Sequence, residues 1–279
     1  MTMTMRKIIT IMSNIDNKLI LKYCLYLLLI IISAAILSSI NSSKHEKMNY
    51  FLESRAPFIV KKPNFSEIKD FKERKKAFIS YMLSAIEKAN NEICLQRQQI
   101  HKLQKDLVES NTLSSRQLNK LDLYLRYYKI DPAHNTADEL SYLDIKAERI
   151  PTSFVLAQAA LESGWGTSRF SRDYNNYFGL HCFYEGCGAK AKSANVYLET
   201  FNSAAESVLG YYYRLNTGSK FKDFRIIRDK INNNELPEQD LLNTLENYSA
   251  LGGNEYKNRL ISVIEHNNLT QYDSIKYCK

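Results

Sequence analysis

Residues 151–170, PTSFVLAQAALESGWGTSRF, contain the side chain best set up for proton chemistry, Glu162. Phe154, Ala157 and Leu161 recur at helical spacing, and Val155, Ala159 and Glu162 form the adjacent strip. Pro151 suits a first helical position, where its missing N–H is not needed. Gly164 is the expected stop. Glu162 then falls in the last turn, beside alanines and a leucine and just ahead of Trp165. The C-terminal end of a helix carries partial negative charge and disfavours an ionised carboxylate. An apolar surround does the same. A carboxyl kept protonated near neutrality can give its proton to a leaving oxygen, which glycoside cleavage requires. A solvated glutamate at a helix end is the plainer reading, and composition alone favours it.

Glycoside cleavage usually needs a second group, either a base for water or a nucleophile. Asp173, Glu185 and Glu199 are the candidates. A substrate with a 2-acetamido group offers another route, because its own carbonyl oxygen can assist departure. Asn175 and Asn176 could hydrogen-bond sugar hydroxyls, or equally cap turns. With Trp165, Tyr177 and Phe178, whose rings offer apolar faces to a sugar, they make the expected substrate-binding set.

Other chemistries fit less well. His181, Cys182 and Cys187 are metal-capable, but three ligands at this spacing match no familiar zinc pattern, so no metal is expected. Cys182 beside His181 is a poor thiol–base pair, since neighbours in a strand point to opposite faces. Ser163 lacks a G-x-S-x-G setting. No phosphate-cradling glycine loop occurs, and no cofactor is expected.

Several blocks in order carry a resemblance: KKAFISYMLSAIEKANNEI, LAQAALESGWGTSRF, NNYFG, CFYEGCG, LNTGSKFKDFR and YSALGGNEYKNRLISVI, spread from about Lys72 to Leu269. Together they resemble the glucosaminidase-type peptidoglycan hydrolases of glycoside hydrolase family 73, in particular its Bax-type branch. The resemblance implies a mainly α (α+β), lysozyme-like domain with a small β-hairpin lobe beside a cleft. It makes Glu162 the catalytic acid and Tyr248 the tyrosine that faces it. It looks to the β-lobe for a second glutamate. Glu185 lies there but matches poorly, and Glu199 sits on the strand that should return toward the helices. The implied activity is that of an endo-β-N-acetylglucosaminidase cutting β-1,4 bonds of wall glycan. Lytic transglycosylase-like cleavage, and wall binding without cleavage, are the alternatives.

Composition agrees with a wall-facing protein. Lys and Arg total 38 against 30 Asp and Glu, a net charge of +8. A mildly basic chain suits an anionic polymer. No clustered arginine stripe or reader motif points to nucleic acid. Tyrosine is abundant, 19 against one Trp, and many of these rings must be ordinary core. Residues 1–18 form a short basic leader with Arg6, Lys7 and Lys18. Residues 19–40 are apolar enough for a membrane anchor or an export signal. An anchor in the inner membrane, with the bulk of the chain in the periplasm, is the expected arrangement; cleavage would release a secreted form. Export implies an oxidising compartment, so Cys182–Cys187 is read as a disulfide, leaving Cys94 with Cys278.

The remaining elements follow from spacing and caps. Residues 41–65 are polar, with Pro57 and Pro63, and read as a linker. Residues 66–130 read as a helical extension packed on the catalytic domain of 131–275. In it Phe71, Phe78, Met82, Ala85 and Ala89 mark a helical face that Ile93, Ile100, Leu103 and Leu107 continue after an expected break. Ser114 with Gln117, Thr136 with Glu139, and Ser203 with Glu206 are capping-box patterns. Residues 167–178 read as a loop. Residues 195–201 alternate like a strand, with a glycine hairpin near 186. Later helices are expected over 220–230, from Pro237 to near Tyr248, and over 254–267.

Overall fold

One long helix organises the domain. In the computed structural model α1 runs unbroken from Phe71 to Ser110, 40 residues. Asp70 caps it, accepting from Glu73 N at 2.7 Å, and Asn111 closes it in the left-handed region. The expected break is absent. The residues that interrupt the apolar pattern, Asn90, Glu92 and Gln96, are themselves buried, and each has a partner. Tyr212 Oη donates to Asn90 Oδ1 at 2.8 Å, Tyr128 Oη to Gln96 Oε1 at 2.5 Å, and Gln96 Nε2 to Glu92 Oε1 at 3.0 Å. A gap in hydrophobicity is therefore not a gap in burial. The structure describes residues 22–23, 25–28, 30–32, 52–54, 56–132, 135–182, 187–192, 196–245, 248 and 253–273.

Helix α2, Ser115–Tyr127, starts at the predicted Ser114, whose N–H donates to Gln117 Oε1 at 2.8 Å. Helix α3, Thr136–Lys146, is capped one residue before the predicted Thr136: Asn135 Oδ1 accepts from Asp138 N at 2.8 Å. Helix α4, Thr152–Ser163, is buried at every position from Thr152 to Ala160 and ends at Gly164 with φ 58°. Pro151 sits just outside it as the cap. Residues 169–174, expected as loop, form the short helix α5, Arg169–Tyr174. Its cap is Ser168, and Asn175 closes it with φ 53°. Helix α6, Ala204–Thr217, is capped by Ser203 as predicted. A 3-10 turn, Ser219–Phe221, leads to α7, Lys222–Asn232. The helix predicted from Pro237 shrinks to α8, Asp240–Asn243, and α9 spans Gly253–His266. Helix α1 packs against α3, α4 and α6, and α9 packs against α4.

The β-lobe is a three-stranded antiparallel sheet of very short strands: β1, His181–Cys182; β2, Ala189–Lys190; β3, Tyr197–Leu198. The order is β1-β3-β2, so the predicted hairpin across residue 186 does not pair its own two arms. Leu198 faces both His181 and Ala189 in register. Gly188 is required here, because a Cβ on it would lie 2.0 Å from the Leu198 carbonyl oxygen. Cys182 and Cys187 are disulfide-bonded. Cys94 is disulfide-bonded as well, and Cys278 lies outside the described residues.

Two expectations about the N-terminal part meet different outcomes. The described residues of the supposed linker, 52–54 and 56–65, are mostly exposed but tied to the domain at particular groups. Phe65 is 2 % exposed, with its ring 5.5 Å from Phe78 and 5.9 Å from Tyr81. The backbone N–H groups of Glu53 and Ser54 donate to the buried Glu92 carboxylate. Residues 1–51 form a separate unit. In it the described residues between 22 and 32 are helical, with exposed apolar side chains such as Leu25, Leu28 and Ile31. No helix among the described residues is long and apolar enough to cross a membrane. Much of the expected membrane segment, including all of 33–40, lies outside them.

Candidate active site

Glu162 is half-buried at the end of α4, where the helix pattern placed it. Its Oε1 accepts a hydrogen bond from Tyr256 Oη at 2.9 Å. Its Oε2 faces Gly179: a Cβ at that glycine, whose φ is +61°, would lie 3.7 Å away. Burial raises the Glu162 pKa, and the Tyr256 hydrogen bond pulls it part of the way back. No ion pair to Glu162 forms among the described residues. The carboxyl is therefore held by a neutral hydroxyl, which leaves it able to keep a proton.

Behind Glu162 a polar chain runs into the core. Gln158 lies one turn earlier on α4 and donates from Nε2 to Tyr256 Oη at 3.0 Å. Tyr211 Oη donates to Gln158 Oε1. Gln158, Tyr211 and Tyr256 are buried, so the chain fixes the Tyr256 ring from the inside.

Tyr248 lies beside this network. Its ring stacks on Tyr256 with centroids 6.0 Å apart and 14° between planes. Its hydroxyl donates to the Phe178 carbonyl oxygen at 2.9 Å and makes no hydrogen bond to Glu162. Burial holds its phenol protonated well above the usual range; the neighbouring Tyr256, Glu162 and Glu199 add to the rise and Arg214 opposes it. Tyr248 is thus a neutral donor within the electrostatic reach of both carboxylates.

Glu199 follows β3 and pairs with Arg214 of α6, Oε1 to Nη2 at 2.7 Å. Burial raises its pKa and Arg214 opposes the rise. Asp173 is exposed and pairs with its neighbour Arg172 at 2.9 Å. Glu185 lies outside the described residues.

The expected sugar-binding set is mostly engaged in holding the site together. Asn176 is buried; its Nδ2 donates to the carbonyl oxygens of Leu180 and Glu199, both at 2.9 Å, and its Oδ1 accepts from Leu180 N. Asn175 Nδ2 donates to the Phe201 carbonyl oxygen. Tyr177 is fully buried, and Phe178 stacks on Tyr211 with centroids 4.3 Å apart. Trp165, with φ 56°, packs edge-on against Phe71 and Phe78 of α1, and Lys75 Nζ lies 5.0 Å above its ring. These rings are spent on packing within the domain, against α1 and Tyr211. No cluster of three or more His, Cys, Asp or Glu placed to hold a metal occurs among the described residues.

Comparison with known proteins shows the family. The glucosaminidase family model, described as mannosyl-glycoprotein endo-beta-N-acetylglucosaminidase, matches residues 142–269. Protein bax of Escherichia coli (strain K12) is 30% identical over 197 residues, covering 70% of this chain and 70% of its own. The chain belongs to the Bax-type glucosaminidase family. The catalytic domain of the autolysin Auto from Listeria monocytogenes is 23% identical, with 58% of this chain and 99% of that one covered at a TM-score of 0.35.

The residue that sequence reasoning missed in this glucosaminidase-family site is Tyr256. A signal existed: Tyr256, Leu260 and Ile264 mark the buried face of α9, and a buried tyrosine needs a partner for its hydroxyl. Nothing in the spacing said that the partner would be Glu162.

Proposed function

We propose that the protein is a peptidoglycan hydrolase, an endo-β-N-acetylglucosaminidase with Glu162 as general acid on a lysozyme-like scaffold. One observation carries the reading. Glu162 is a half-buried carboxyl, raised in pKa by burial and held by a neutral tyrosine hydroxyl rather than by a cation. Such a group is protonated when a glycosidic oxygen needs the proton and recovers it afterwards. Tyr248, stacked on the Tyr256 ring beside Glu162, places or stabilises the reacting group. The Arg214 ion pair on Glu199 favours a single dominant acid, with the substrate's own 2-acetamido group assisting departure. Trp165 and the 175–178 segment shape the glycan cleft from beneath, and Glu185 remains a candidate for the β-lobe's second carboxyl. The paired cysteines suit an envelope protein in an oxidising compartment, tethered at the inner membrane through residues 19–40.

The test is release of muropeptides from isolated sacculi by the wild-type protein and by Glu162→Gln. Loss of release in the variant, with its fold retained, is expected; equal release rejects Glu162 as the acid. Products ending in 1,6-anhydromuramic acid would replace hydrolysis with transglycosylation. Tight binding to sacculi with no product at all would replace catalysis with a scaffold role.

A further inference from the structure

We propose that residues 58–65 are a positioning strap for the Glu162 site, and that Lys62 is its anchoring residue. The strap lies upstream of the family match at 142–269, and its composition reads as linker. It touches the turn that follows Glu162 and the end of α5, from which the segment facing the carboxyl departs.

The first contact is at the turn that follows Glu162. Phe65 lies against Gly166, where φ is +80°: a Cβ on that glycine would sit 2.3 Å from the Phe65 ring. The ring thus occupies the space a side chain would need, and it is itself wedged against Phe78 and Tyr81 of α1. The backbone of 164–166 is thereby pressed between α4 and the strap.

The second contact is at the segment that meets the carboxyl from the other side. Lys62 Nζ donates to the carbonyl oxygens of Ser171 and Arg172, at 3.2 and 2.7 Å, and to Asn175 Oδ1 at 2.7 Å. A cation is well placed on the free carbonyls at the end of α5. From there the consequences run forward along the chain. Asn175 holds Phe201; Asn176 holds the backbone of Leu180 and Glu199; the Phe178 carbonyl receives the Tyr248 hydroxyl; Gly179 faces Glu162 Oε2. Lys62 thus fixes the start of a segment whose far end sets the distance between Glu162, Tyr248 and Glu199. Misplacing reacting groups by about 1 Å costs on the order of a hundred-fold in rate, so a partial loosening is felt.

This role rests on the reading of Glu162 as the acid, and its test separates the two. In the full chain, Lys62→Met keeps the length of the stem and removes the donors. Lys62→Arg keeps charge and donors. On soluble glycan chains, Lys62→Met is expected to lose about ten-fold in kcat with KM within about two-fold, and Lys62→Arg to recover most of the loss. Amide exchange at Leu180 and Glu199, whose N–H groups bond Asn176 Oδ1 and the Leu180 carbonyl, is expected to quicken in Lys62→Met while that of α1 stays unchanged. Wild-type kcat in Lys62→Met, or a loss of kcat with unaltered exchange at those two amides, overturns the proposal. If the wild type cuts no glycan, or Glu162→Gln cuts as well as wild type, the hydrolase reading fails instead. The exchange data then decide by themselves whether the strap holds the segment.

Discussion

The end of α4 and the sheet lobe each carry a half-buried carboxyl, and they hold it by opposite means. Glu162 is set by long-range packing: a helix buried along its length, a glycine stop, and a tyrosine fixed from the core through Gln158. Glu199 is set by local ties: two-residue strands, a disulfide five residues apart in sequence, and an ion pair to Arg214. Burial raises both pKa values. A cation opposes the rise at Glu199, whereas only a neutral hydroxyl does so at Glu162. Burial lifts both carboxyls, and unlike partners, a hydroxyl at one and a guanidinium at the other, oppose that lift.

The comparison breaks most visibly at Glu162. Glu162→Gln is expected to lower turnover about a thousand-fold, the typical contribution of a general acid, while Glu199→Gln costs about ten-fold. Muropeptide release under matched conditions checks both, and similar losses would erase the asymmetry. Replacing Cys182 and Cys187 together by Ser should cost about 2 kcal/mol of stability by the closure of so short a loop. Amide exchange should quicken in the lobe and not along α4. Arg214→Met leaves Glu199 without its cation and raises its pKa further; partial exposure of both side chains limits the stability loss to about 1 kcal/mol, readable by denaturant titration.

Tyr256→Phe removes a hydrogen bond that favours ionised Glu162, so the Glu162 pKa is expected to rise. As the proposed acid Glu162 must be protonated to act, so the alkaline limb of kcat/KM is expected to move to higher pH. The smallest effect concerns stability. The folded-state pKa of Glu162 lies above its unfolded value, so the stability that its proton confers is complete below about pH 4.3 and is lost as pH rises through the folded pKa. Gln cannot ionise. Melting curves of Glu162→Gln and wild type should separate progressively, in favour of the variant, as pH is raised from 4 toward neutrality.

How far the chain could be read depended on the range of the interaction. Short-range signals were legible: the stop at Gly164, the caps at Ser114 and Ser203, the existence of a helix over 254–267, and the apolar setting of Glu162. The Cys182–Cys187 pair was legible from its spacing and an assumed oxidising compartment. What failed needed a partner far away in sequence. Asn90, Glu92 and Gln96 read as an interruption of α1 because their hydrogen-bond partners, Tyr212, Tyr128 and the 53–54 backbone, lie elsewhere in the chain. The order of the sheet was hidden because its strands are two residues long and carry almost no pattern. Asn175 and Asn176 had two uses open to them, and only the positions of Lys62, Phe201, Leu180 and Glu199 reveal which groups they bind.

The unbroken α1 has a practical meaning for anyone drawing a cloning boundary. At about 1.5 Å per residue it is a rod some 60 Å long, and Phe78, Met82, Ala85, Ile86 and Ala89 on it are wholly shielded from water. The family model matches only from residue 142. A clone trimmed to that region would amputate its own interior and should come out of cells insoluble, whereas one that starts at Leu52 keeps the rod and the groups that grip it.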